Sequence, residues 1–244
     1  MDVYSIHWFY KSYNSIIDLK TLHVDSITKS FDNKNILTDI FISCNQGEIK
    51  GLLGRNGSGK STLLKTIFGT LSCQNKFVRI DDKLIRNVSD GRNLLNYLPQ
   101  ENFLPNNVTV KAIIKLFLEK ENQDIVLKNE HVKPTLGKKN QHLSGGEKRM
   151  IEILLIIHSK ADFILLDEPF NGVSPIMRDY IIKYIRSMKS EKGFIITDHD
   201  YENIIELADS LVLLQDGYLK SINSLQELVK CGYMTEASVK NLNK

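Results

Sequence analysis

Apolar positions along the chain fall into short blocks that begin at Leu22. Leu22–Thr28, Ile36–Cys44 and Glu48–Leu53 are alternating or continuously apolar, which predicts three strands. A glycine-rich stretch follows and leads into a predicted helix over Lys60–Phe68. Phe77–Ile80 and Leu94–Leu98 read as short strands. Residues 100–142 are more polar and hold one clear helical pattern, Val110–Glu119, so an inserted helical subdomain is expected there. Ser144 opens a further helix that runs to Ile157. The unbroken apolar run Phe163–Leu166 reads as a strand buried on both faces. Met177, Ile181, Tyr184 and Met188 mark one stripe of a long amphipathic helix. Gly193–Thr197 and Ser210–Leu214 read as strands, Tyr201–Ala208 and Leu225–Lys230 as helices. Strands alternating with helices predict an α/β fold around a mainly parallel sheet.

Composition narrows the classes. The 244 residues are 42% hydrophobic and 25% charged, enough for a globular core. A formal charge of +3 gives no reason to expect nucleic acid as the partner. The three cysteines, Cys44, Cys73 and Cys231, form no CxxC pair, which argues against a disulfide framework or a zinc site and for a reducing compartment. No apolar run reaches the roughly 18 residues a membrane span needs, and the start lacks the features of a secretory signal. A cytoplasmic chain is expected, one that reaches a membrane only through other proteins. Residues 1–20 crowd Tyr4, Trp8, Phe9, Tyr10 and Tyr13 without periodicity, and are read as a loosely packed extension rather than a partner contact.

Chemistry enters at GRNGSGKS, Gly54–Ser61, which fits the pattern G-x-x-x-x-G-K-[ST]. Gly54, Gly57 and Gly59, with Asn56 and Ser58 between them, let backbone N–H groups turn inward onto phosphate oxygens. The helix that follows offers its positive end to the same anion. Lys60 supplies a mobile charge for the β- and γ-phosphates, Ser61 a hydroxyl for Mg²⁺, and Thr62 a further phosphate contact.

A second constellation is FILLDE, Phe163–Glu168. An apolar strand here delivers two carboxylates to its C-terminal end, where α/β proteins bind ligands. Asp167 is suited to hold Mg²⁺ through the water shell of the ion. Glu168 is suited to polarise an attacking water. A solvated turn would be the plain reading of an isolated Asp-Glu pair; its place behind a phosphate loop argues for chemistry.

With these motifs in hand, the sequence resembles the nucleotide-binding subunit of ABC transporters over about residues 21–230. LSGGE at Leu143–Glu147 resembles the family signature, Gln100 the glutamine loop, His199 in ITDH the switch histidine, and Phe31 the aromatic that stacks on adenine. The resemblance implies a P-loop NTPase fold of the ABC ATPase type: a mainly parallel core, an antiparallel β subdomain and a short helical insertion at about 101–160. Residues 1–20 would then be an extension and 231–244 a tail. It also implies that Glu168, His199, Gln100 and Lys60 are catalytic, and that Ser61, Gln100 and Asp167 hold Mg²⁺. Ser144, Gly145, Gly146 and Glu147 would bind the γ-phosphate of an ATP held by another chain. Ser144 and Glu147 also make an S-x-x-E capping box, and a capped, glycine-bearing helix start is an anion site in its own right. One phosphate loop and one signature per chain imply a head-to-tail homodimer with two shared ATP sites, peripheral at the inner face of a membrane and docked on transmembrane permease subunits.

Two features depart from the family pattern. Ser174 stands where Asp is common, before Pro175, and still makes a good helix start. The stretch between Gln100 and Leu143 is short for the family. Phe103 and Leu104, apolar residues just after Gln100, either line a groove for a partner helix or pack the subdomain. DEPFNGVSP with ITDH is similar in wording to the lipopolysaccharide-export and branched-chain amino-acid subgroups. The alternative function is a soluble ABC-type ATPase acting on ribosomes or DNA.

Overall fold

A computed structural model of the chain describes residues 19–32 and 34–242. Most of the aromatic-rich start therefore lies outside the described residues. Two sheets form the frame. The first is antiparallel and four-stranded: β1 (Thr21–Phe31), β2 (Lys34–Asn45), β4 (Asn75–Ile80) and β5 (Lys83–Leu84) in the order β2-β1-β4-β5. The second has six strands: β3 (Ile49–Leu53), β6 (Leu95–Leu98), β7 (Phe163–Asp167), β8 (Gly193–Thr197), β9 (Ser210–Gln215) and β10 (Tyr218–Ile222). Their order is β10-β9-β3-β8-β7-β6, and all neighbours run parallel except β10 on β9.

Every residue of β7 and β8 is buried, the pattern of central parallel strands covered on both faces. The pleat of β7 divides the interior in two. Ile164 and Leu166 pack into a cluster with the helical insertion, while Phe163 and Leu165 pack toward the antiparallel sheet. Helix α1 (Lys60–Phe68) contributes Leu63, Leu64 and Ile67 to the second cluster. β3 accepts a glycine mid-strand because a Cβ on Gly51 would come within 2.4 Å of Ile204 Cγ2.

The insertion is richer than the sequence pattern predicts. α2 (Val110–Phe117) stops at Leu118, and a second helix, α3 (Lys120–Lys128), follows at once. Only Val126 of α3 is fully buried, so its periodic signal is faint. Two 3-10 turns, Lys133–Thr135 and Asn140–His142, lead to α4 (Gly145–Ile157). Leu104 is 6% exposed, and Phe103 packs edge-on to Phe117 with ring centroids 6.0 Å apart; both serve the subdomain core.

α5 (Pro175–Met188) starts on Ser174, whose Oγ accepts from Met177 N at 3.3 Å. α6 (Tyr201–Leu207) follows β8. Beyond β10 come α7 (Leu225–Lys230) and α8 (Glu236–Leu242). Residues 231–242 are therefore not a bare tail: Met234 and Val239 are buried in the core. Among the described residues, no helix is long and apolar enough to cross a membrane.

Candidate active site

The phosphate loop leaves β3 at Leu53 and enters α1 at Lys60. Gly59 forms the corner at φ 106°, in the left-handed region, and a Cβ there would lie 2.8 Å from Ile36. Lys60 is almost fully buried, and its ammonium donates to the carbonyls of Gly54 at 2.7 Å and Arg55 at 3.3 Å. Burial lowers its pKa, opposed by the negative charges of Glu168, Asp167 and Asp198 nearby. Ser58 Oγ is buried and has no hydrogen-bond partner among the described residues.

β7 delivers the acidic pair. Asp167 is fully buried and accepts three hydroxyl donors: Ser61 Oγ at 3.1 Å and Thr197 Oγ1 at 2.9 Å on Oδ1, and Tyr97 Oη at 2.9 Å on Oδ2. Burial, and then the Asp167 charge, push the Tyr97 phenol far above its ordinary value, so it remains a donor. Glu168 sits at φ 50°, a left-handed conformation that costs a non-glycine residue on the order of 1–3 kcal/mol. Its N–H donates to Thr197 O at 3.0 Å, and its carbonyl accepts from Arg149 at 2.9 Å. Its Oε2 accepts from Gln100 Nε2 at 2.8 Å and lies 4.0 Å from His199 Nδ1.

Arg149, in the second turn of α4, closes the floor. Its guanidinium donates to the carbonyls of Pro99 and Asp167, both at 2.7 Å, and to those of Glu168 and Pro169. It also pairs with fully buried Glu152, which accepts the Phe103 N–H at 3.0 Å. Sequence reasoning passed over Arg149 and Tyr97. A lone arginine after a helix start reads as surface, and a tyrosine in an apolar strand reads as core.

Phe31, Asn56, Gly57, Gly59, Lys60, Ser61, Thr62, Gln100, Glu168 and His199 line one cleft of about 500 Å³. Phe31 is 45% exposed, with Lys29 Nζ 4.5 Å from its ring centroid. Gly54 and Asp167 lie just beneath, through their bonds to Lys60 and Ser61. Ser144, Gly145, Gly146 and Glu147 do not line this cleft. They form a separate helix start in which Glu147 Oε2 accepts from Ser144 N at 2.8 Å and Ser144 Oγ accepts from Glu147 N at 3.2 Å. The box is closed, so Glu147 is held below its ordinary pKa, chiefly by the Ser144 N–H.

A phosphate loop and an acidic pair, converging at the carboxyl ends of parallel strands, define an ATPase of the P-loop class. A model of the ABC transporter family matches residues 37–171, and the chain belongs to that family. The lipopolysaccharide export system ATP-binding protein LptB of Acidithiobacillus ferridurans is 30% identical over 221 residues, 85% of this chain and 92% of that protein. LptB of Escherichia coli (strain K12) is 28% identical over 226 residues, 87% and 94% of the two chains. The ABC transporter ATP-binding protein YtrB of Bacillus subtilis (strain 168) is 27% identical over 215 residues, 85% and 73%. Among solved structures, one of an ATP binding subunit of an ABC transporter superposes with TM-score 0.76 at 22% identity, covering 91% of this chain and 99% of that one. The chain is thus an ATP-binding, ATP-hydrolysing subunit of the ABC transporter type.

Proposed function

We propose that this subunit binds MgATP in the Phe31–Lys60–Glu168 cleft, hydrolyses it within a head-to-tail homodimer, and drives transmembrane permease subunits from the inner face of a membrane. The observation that carries the reading is the separation of the two anion-binding ends. Lys60 and Glu168 share a cleft that the capping box at Ser144–Glu147 does not line. Gly145 and Gly146 are open: a Cβ on either would meet nothing nearer than 3.7 Å. A second copy would bring its glycine-bearing helix start to the γ-phosphate.

In this reading Phe31 stacks on adenine, the backbone of Gly54–Gly59 cradles the phosphates, and Lys60 leaves the Gly54 carbonyl for the β- and γ-phosphates. Glu168 takes the proton of the attacking water. His199, whose side chain is 53% exposed, turns to the γ-phosphate. The donors available to Mg²⁺ are hard oxygens, from the Ser61 hydroxyl, the Asp167 carboxylate and the Gln100 amide, and they suit that ion. Among the described residues no three His, Cys, Asp or Glu side chains form a metal cage, which fits an ion carried in with the phosphates. Bound there, Mg²⁺ would neutralise charge on the β- and γ-phosphate oxygens.

LptB proteins are named for lipopolysaccharide export, and similarity to them favours an export role of that kind here. Affinity purification from native membranes tests the assignment. Multi-span membrane proteins should co-purify; a ribosome or DNA complex in their place would overturn it.

A further inference from the structure

The end of β6 touches both members of the acidic pair. Tyr97 donates to Asp167 at 2.9 Å and, three residues on, Gln100 donates to Glu168 at 2.8 Å. Between them the Pro99 carbonyl is held by Arg149 of α4 at 2.7 Å. Tyr97 is the fixed member of this set. Its residue is 8% exposed, it is paired in register with Leu165 of β7, and its ring lies 5.5 Å from that of Phe68 on α1.

Asp167 offers two oxygens with different tasks. Oδ1 accepts from Ser61, the proposed Mg²⁺ hydroxyl, and from Thr197, while Oδ2 accepts from Tyr97. A carboxylate held at one oxygen only would swing about its last torsion. Tyr97 pins Oδ2 and thereby keeps Oδ1 aimed at the loop. A neutral donor suits this work. A lysine or arginine in its place would pair with the carboxylate and offset the charge that Mg²⁺ requires, whereas a phenol orients the charge and leaves it intact.

We infer that Tyr97 is a positioning residue for the Mg²⁺ site, acting through the Asp167 carboxylate. The inference rests on the reading of Ser61 and Asp167 as Mg²⁺ residues. The test uses the full chain and a fluorescent ATP analogue, with affinity measured in EDTA and across a Mg²⁺ titration. Loss of a partner that orients a metal ligand weakens metal binding by roughly 10- to 100-fold. Tyr97→Phe keeps the ring and should raise the Mg²⁺ needed for half-maximal response by at least about 10-fold. Affinity in EDTA should stay unchanged. Tyr97→Gln restores a donor and should recover part of the response.

Asp167→Ala separates the two claims. If it leaves the Mg²⁺ dependence unchanged, the metal-site reading itself falls. If Asp167→Ala shifts the titration and Tyr97→Phe does not, the inference about Tyr97 is overturned alone. Should Tyr97→Phe fail to fold, 3-fluorotyrosine placed at position 97 keeps the chain otherwise intact. Its fluorine resonance should move with MgATP and not with ATP in EDTA, and an unmoved resonance would overturn the assignment.

Discussion

Gln100 Nε2 lies 2.8 Å from Glu168 Oε2, so the residue proposed to activate water is tied to the loop that opens the helical insertion. Movement of that loop would alter where the carboxylate points. Glu168→Gln keeps the shape and an acceptor for Gln100 while removing the basic charge. Phosphate release in a single turnover should slow by about 10²-fold or more, as expected for loss of a general base. ATP affinity should hold. Wild-type turnover would remove Glu168 from the mechanism.

Arg149 and Glu152 should be coupled in stability as well as in space. Their pair is almost fully buried, and Arg149 also caps four carbonyl groups around the acidic pair. Burial lowers the pKa of the guanidinium and raises that of the carboxyl, and the opposite charge of each partner works against the other's shift. Removing one member of a buried pair costs about 3–5 kcal/mol because the other is stranded. Arg149→Met should therefore lower stability by that order in urea unfolding. The double variant Arg149→Met with Glu152→Gln should lose less than the sum of the single losses. Additive losses would show that the contact is incidental.

The parts of this fold legible in the sequence are those whose signal is local. β7 shows as an unbroken apolar run, α1 follows its glycine loop, and the Ser144–Glu147 box is readable letter by letter. The phosphate loop and the acidic pair stand in the sequence as motifs, whereas Phe31, Gln100 and His199 were singled out only by resemblance to the ABC family. α3 and α8 were not legible, since each buries few apolar residues and leaves no strong stripe. β10 pairs only at the sheet edge, with one of its five residues buried, so it also lacked a signal. The roles of Arg149 and Tyr97 depend on partners far along the chain: Tyr97 bonds across 70 positions and Arg149 across 50. No local pattern encodes such contacts.

Stability should fall with mild acid because of His158. The ring is buried at the end of α4, with its Nε2 2.5 Å from Tyr184 Oη, and Lys192 adds a like charge nearby. Burial first, then Lys192, brings its pKa from 6.5 down to about 4. The folded state therefore holds the neutral ring, while the unfolded chain takes up a proton near its ordinary value. The contribution is fully present above about pH 6.5 and is lost as pH falls toward about 4, on the order of 3 kcal/mol in all. Urea midpoints at pH 7 and pH 5 measure it. His158→Gln should lose less stability over that interval than wild type, and equal losses would exclude His158 as the source.

Each ATP is proposed to be shared between two chains. Lys60 and Ser144 belong to the two half-sites, one at the loop and one at the capped start of α4. Lys60→Ala removes a charged donor whose bonds are each worth about 1.5–3 kcal/mol, so MgATP affinity should fall roughly 10- to 100-fold. Ser144→Arg puts a long side chain at the helix start and breaks its capping box, while leaving the chain's own phosphate loop intact. In a head-to-tail pair of one variant of each kind, both defects fall in one composite site and the other site is wholly intact. Each variant alone should trap little nucleotide, because each homodimer carries a defect in both sites. Mixing them within the assembled transporter should restore one site's worth of ATP trapping, provided that a single intact site suffices for closure. A mixture that forms mixed dimers yet traps no more nucleotide than the separate variants would mean that each chain completes its own site.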